Sequence, residues 1–329
     1  MISEKANALC ILNILHEYSD EEHIMQMKDI IDRMNKDYGL NPDRRTIYGA
    51  LALLLDMGYD ISVYEENGKG YFLRSRELER SEVLLLTDAI YSFPFITAGQ
   101  TNDLVSKIQK QLSVHQRKKY KHLTIAKTEK KGDNKQVFLN IELLDEAISE
   151  KKKVRFGYYS YNIRKEMELR RAEPYIVNPF RMVYMNDHYY LLCKTTGKDG
   201  VSFYRIDRMK DISILDDFRD EKIPDEEEIK NVVYAFTGKA EQIKMRCDRE
   251  ILNDVIDKFG KDIFLQHEGD KEILVTFKAP PKGVKFWALQ YLPYVEVLEP
   301  VWLRNEVIES IGANRYEAYK SKVTGKNEE

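Results

Sequence analysis

The sequence predicts a multidomain α+β chain: a helical head with a small hairpin, a helical linker, a small β-barrel and a βαββαβ module. Three observations predict it. The 329 residues are enough for two or three domains. Apolar residues recur at helical spacing up to about residue 112, and short aromatic strands separated by tight turns fill residues 154–215. Beyond residue 241, strand-like and helix-like segments alternate.

In the head, Leu9, Ile11, Leu12 and Leu15 mark a first amphipathic helix, and Ile30, Ile31 and Met34 a second, after the break Asp20-Glu21-Glu22. A third starts at Asn41-Pro42-Asp43, with Asn41 as N-cap, Pro42 at the first helical position and an acid facing the dipole; it stops near Gly58. Ile61–Tyr64 and Tyr71–Leu73 bracket Asn67-Gly68, a hairpin signal. Three helices and a hairpin are the plan of a winged helix-turn-helix, assigned to residues 1–76.

Residues 77–135 read as a helical linker, interrupted at Phe93-Pro94 and running into Arg117-Lys118-Lys119-Tyr120-Lys121, with a polar tract at 128–136. Strands follow at Val154–Tyr161, Met182–Met185, Tyr189–Cys193, Val201–Tyr204 and Ile212–Leu215, which place the barrel in residues 136–217. An acidic joint spans 216–235. Strand Gln242–Cys247, helix Asp248–Phe259, strands Ile263–His267 and Glu272–Lys278, helix Pro281–Tyr291 and strand Tyr294–Glu299 give a ferredoxin-like order, closed by a helix at 303–320, within a domain at 236–325.

The formal charge of −3 hides segregation. Residues 1–76 hold nine basic and thirteen acidic side chains, residues 105–135 ten and two, and residues 151–171 eight and two. Polyanions are thereby directed to the linker and barrel first. No apolar run reaches the ~18 residues of a membrane span, so a cytoplasmic protein without membrane contact is expected. Cys10, Cys193 and Cys247 are too scattered to hold zinc, and neither metal nor cofactor is expected. No phosphate loop, nucleophile elbow or zinc-protease motif occurs, which argues against an enzyme.

On the third helix a 100° step puts Ile47, Leu51 and Leu54 on one side and Arg45, Gly49, Ala52 and Asp56 on the other. Arg45 suits guanine edges; Arg44, Thr46 and Tyr48 suit duplex phosphates, with Lys69 in the wing, and Gly49 permits close approach. Eight of the 21 tyrosines lie between Tyr158 and Tyr204, next to Arg205 and Arg208. Ring faces that stack bases and guanidinium groups that bind phosphate make a nucleotide or single-stranded site from Tyr158, His188, Tyr189, Tyr190, Arg205 and Arg208. The bland alternative is that strand tyrosines are core, that Asp207 pairs with one of the arginines, and that His188 is merely solvated. Arg205 and Arg208 serve one pocket only if the strand ends or bends between them.

Asp43-Arg44-Arg45-Thr46-Ile47-Tyr48 with Leu51, Leu54 and Gly58 resembles the recognition helix of bacterial WYL-domain transcriptional regulators. His188-Tyr189-Tyr190-Leu191 stands in the place of the Trp-Tyr-Leu that names the family, and Phe203-Tyr204-Arg205-Ile206-Asp207-Arg208 in that of its Phe-Arg-x-Asp-Arg pattern. Tyr189 replaces the tryptophan, and Gly49-Ala50 replaces a common Arg-Asp pair. The resemblance implies an SH3/Sm-like barrel that senses a nucleotide or nucleic-acid effector and controls a homodimeric head bound to an operator in double-stranded DNA. An accessory RNA- or single-strand-binding protein that modulates a partner effector protein is the alternative.

Overall fold

The computed structural model describes residues 6–119, 131–196, 200–220, 222 and 240–313. Expectations for Tyr120, Lys121, the start of the 128–136 tract, most of the acidic joint and the helix beyond residue 313 lie outside them. The chain divides into two compact units, residues 1–137 and 138–329.

In the first unit, α1 (Asn7–Tyr18), α2 (Met27–Tyr38) and α3 (Arg44–Asp56) bury Ile11, Ile14, Leu15, Ile30, Met34, Ile47, Leu51 and Leu54 in one core. Leu9, placed on the apolar face by the sequence pattern, is exposed; Cys10 takes the buried position. The cap of α3 also differs from expectation. Asp43, not Asn41, is the N-cap, and its Oδ1 accepts from the Thr46 amide at 2.8 Å, so the helix starts at Arg44. The amides of Gly58 and Tyr59 bond back to Leu55 and Leu54, and Gly58 has φ 89°, which ends the helix where the glycine predicted.

The hairpin is shorter than the sequence implied. Strands β1 (Ile61–Ser62) and β2 (Phe72–Leu73) are two residues each, and Tyr64–Asn67 forms a single helical turn, α4. Asn-Gly therefore serves here as a helix end: Gly68 has φ 66°, and Asn67 Oδ1 accepts from the amides of Lys69 and Gly70. Helices α5 (Arg80–Ser92) and α6 (Ala98–Gln109) flank the predicted break at Phe93-Pro94, and α7 (Val114–Lys119) follows.

The second unit opens with α8 (Val137–Ser149), which the sequence reading left unassigned. Strands β3 (Lys152–Tyr161), β4 (Met167–Leu169), β5 (Tyr175–Met185), β6 (His188–Thr195), β7 (Ser202–Arg205) and β8 (Met209–Phe218) make one antiparallel sheet in the order β4-β3-β5-β6-β7, with β8 on β3. A 3-10 turn, Ile206–Arg208, links β7 to β8, and where a small β-barrel is expected the described strands pair as one curled half-barrel sheet. Strand β5 runs straight through Pro179, whose missing donor is absorbed by a register shift between Pro179 and Arg181.

Last come β9 (Glu241–Asp248), α9 (Leu252–Phe259), β10 (Phe264–Glu268), β11 (Glu272–Ala279), α10 (Pro281–Gln290), β12 (Val295–Glu299) and α11 (Val301–Gly312). The βαββαβ order holds, in an all-antiparallel sheet β10-β11-β9-β12. One sheet face, with Ile243, Met245, Val275 and Phe277, packs with Val255 and Trp287 of the helices.

Candidate nucleic-acid interface

The first candidate surface is the outer side of α3. Arg44, Arg45 and Thr46 are exposed at its N-terminal end, and neither arginine forms an ion pair among the described residues. Gly49 is exposed with open space where a Cβ would stand, so a second backbone can approach there. Ala50, by contrast, is buried and offers nothing outward. Tyr48 is half exposed; burial first, and then the neighbouring Tyr48 hydroxyl, push the Tyr71 phenol upward. Lys69 is exposed beside the Asn67 turn. Arg74 is spent on Asp60 and Glu66.

The second surface lies around the end of β7. Tyr158 is buried within a ring cluster: Phe156 and Tyr175 stack at 5.7 Å, and Tyr204 meets Tyr158 edge-on at 5.0 Å. This places Tyr158 in the core, with burial raising its phenol, while its hydroxyl still accepts from the Arg205 amide at 3.2 Å. Strand alternation separates the two tyrosines of β6. Tyr189 packs on the core with Leu191 and Cys193, whereas Tyr190 faces the other way with His188, their rings 6.4 Å apart. The His188 ring Nδ1 lies 2.8 Å from the Asn186 carbonyl.

Tyr190 stands directly opposite Arg205 in the β6–β7 ladder. Arg205 is held by Asp207 through two bonds of 3.1 and 2.7 Å. The strand ends at Arg205, so Arg208 is carried round by the 3-10 turn instead of pointing away. Its Nε is buried with no hydrogen-bond partner, and Arg208 makes no ion pair among the described residues. Burial raises the Tyr190 phenol, and Arg205 and Arg208 pull against it. A half-buried aromatic ring, a neutralised Arg205–Asp207 pair and an unpaired Arg208 together can stack a base and receive one phosphate.

Asn140 of α8 escaped the sequence reading. It is buried, and its Nδ2 donates to the carbonyls of Ile206 (3.3 Å) and Met209 (2.9 Å), fastening the turn that carries Asp207 and Arg208. The only signal for it was an amide inside the apolar run Val137–Ile141.

Residues 140–214 match the WYL domain, and residues 239–313 match the WCX domain. Among solved structures, Proteasome accessory factor B/C (PafBC) of Arthrobacter aurescens is 15% identical over 93% of this chain and 47% of its own, with a TM-score of 0.27. The chain thus spans about half the length of that protein. A CRISPR Cas-related protein is 14% identical over 100% of this chain and 88% of its own, with a TM-score of 0.35. No curated protein matches the chain. From the two family matches, the second unit of the chain carries a WYL domain followed by a WCX domain.

Proposed function

We propose that the chain is a ligand-responsive, homodimeric transcriptional regulator of the cytoplasm, not an enzyme. In this reading residues 1–76 act as a winged helix-turn-helix on a double-stranded DNA operator and residues 77–135 as the linker. The WYL domain, residues 136–217, senses a nucleotide or single-stranded nucleic acid, and a ferredoxin-like module at 236–325 helps the dimer assemble. The observation that carries it is the pairing, in one chain, of two unpaired arginines at the start of α3, one turn before an open glycine, with a WYL domain whose Arg208 is unpaired. An effector that changes the spacing of two heads would change operator affinity, because a dimer reads half-sites about one helical turn apart.

The excess of acids in residues 1–76 favours a second reading, an accessory RNA- or single-strand-binding protein that modulates a partner effector protein. Gel shifts on the DNA upstream of the protein's own gene separate them. Arg45→Ala is expected to abolish salt-sensitive duplex binding, with Arg208→Ala sparing it. Single-strand binding lost in Arg208→Ala, with no duplex binding in the unaltered chain, would establish the accessory role instead.

A further inference from the structure

The β3–β4 hairpin carries a surface that the Tyr190–Arg208 neighbourhood does not use. Along β3 the even positions Val154, Phe156 and Tyr158 are buried, so Gly157, Tyr159 and Tyr161 occupy the outer face. Across the hairpin Tyr159 pairs with Leu169 and Tyr161 with Met167, which puts two aromatic and two apolar side chains on one side. Tyr161 is 50% exposed, Leu169 43%, and Ile163 at the tip is fully exposed. Gly157 makes room beneath them: a Cβ there would lie 3.3 Å from both the Leu169 side chain and the Tyr159 ring.

Cations rim this face. Lys210 Nζ sits 4.6 Å from the Tyr159 ring centroid, and Arg164 and Lys165 at the tip are exposed; none of the three forms an ion pair among the described residues. Neither acid of the hairpin offsets these cations: Glu166 accepts from the Asn162 side chain, and Glu168, opposite Ser160 in the ladder, lies on the other face. The tip is also fixed in shape: Asn162 Oδ1 accepts from the amides of Arg164 (2.9 Å) and Glu166 (3.0 Å), and Lys165 adopts φ 65°. Glycine is the relaxed residue at such an angle, yet a lysine stands there.

We propose that the outer face of this hairpin is a binding track for single-stranded nucleic acid. Tyr159 and Tyr161 are two positions apart on one strand, about 7 Å, so they offer successive stacking surfaces. Arg164, Lys165 and Lys210 supply phosphate contacts at its edges. An apolar patch meant for another protein chain has no need of three unpaired cations around it, whereas a polyanion with flat, apolar bases matches both features. This inference extends the proposed sensing role and names a second, independent surface for it.

The test is fluorescence anisotropy of a labelled 12-nucleotide oligo-dT with the full chain, with Tyr161→Ala, Lys165→Gly and Arg208→Ala compared. Tyr161→Ala is expected to weaken binding roughly 5- to 100-fold. Lys165→Gly is expected to lower the logarithmic salt slope by about 0.7 while thermal stability holds or rises, which rules out misfolding as the cause. Binding abolished by Arg208→Ala but untouched by both hairpin variants would overturn the track and leave the sensing site standing. No oligonucleotide binding in any arm would overturn both. A change of oligomeric state in Tyr161→Ala with unchanged oligonucleotide affinity would make the face a contact between copies of this chain, and would also overturn the track.

Discussion

Single residues decide how the first unit responds to acid. Asp20 is buried; burial alone would raise its carboxyl, but hydrogen bonds from Ser113 and His23 hold it below the usual carboxylate range. His23 Nδ1 lies 2.7 Å from Asp20, and its ring stacks on that of His115 of α7 at 3.7 Å. Burial, and then the neighbouring His23, push His115 below the ordinary histidine value; burial does the same to His16. A histidine whose folded value is depressed contributes stability that is complete above its unfolded value and is lost as pH falls below it. Thermal melts of the first unit's signal should therefore show a midpoint that falls as pH drops below about 6.5. His115→Phe keeps a stacking ring without the charge and should flatten that fall; an equally steep fall in the variant would remove His115 from the account. None of this was legible in the sequence, where His23 and His115 are separated by 91 intervening residues. At the end of β7, by contrast, Arg205, Asp207 and Arg208 were legible as a group, and the bend between the arginines was the condition set for them. Tyr158 was not legible as core, because a buried and a surface tyrosine look alike in a strand.

At the scale of elements, the wing depends on one glycine. A Cβ on Gly70 would lie 2.2 Å from the Met25 carbonyl oxygen, and the neighbouring Met25–Tyr71 bridge prevents the backbone from backing away. Gly70→Ala should cost at least about 1–3 kcal/mol of stability and weaken duplex binding along with it. An unchanged melting midpoint would mean that the wing tolerates displacement. The sequence showed this region to be turn-rich, but Asn-Gly fits both a hairpin turn and a helix end, and only the contact with Met25 selects between them. Similar ambiguity hid β4, three residues carrying a charge, and shortened β5, where Pro179 reads as a strand breaker until the bulge beside it is known. The βαββαβ segment was the most legible, since each central strand there alternates buried and outward positions and Pro281 opens the second helix.

For the whole molecule, the charge of −3 hides how unevenly charge is distributed along the chain. Acids dominate residues 1–76, whereas residues 151–171, which contain β3 and its hairpin, hold eight basic side chains against two acids. No described helix is long and apolar enough to cross a membrane. The proposed function then has the duplex bound through a few placed side chains on α3 and not through a general positive field, so salt dependence should be shallow and sensitive to single substitutions. The most direct test of that claim is a salt titration of binding to duplex DNA from upstream of its own gene, for the unaltered chain and for Arg44→Ala with Arg45→Ala. The expected result is sequence-dependent binding whose logarithmic salt slope drops by about 0.9 for each phosphate contact removed, with loss of sequence preference when Arg45 goes. Duplex binding with the same slope and the same preference in the double variant would contradict the account.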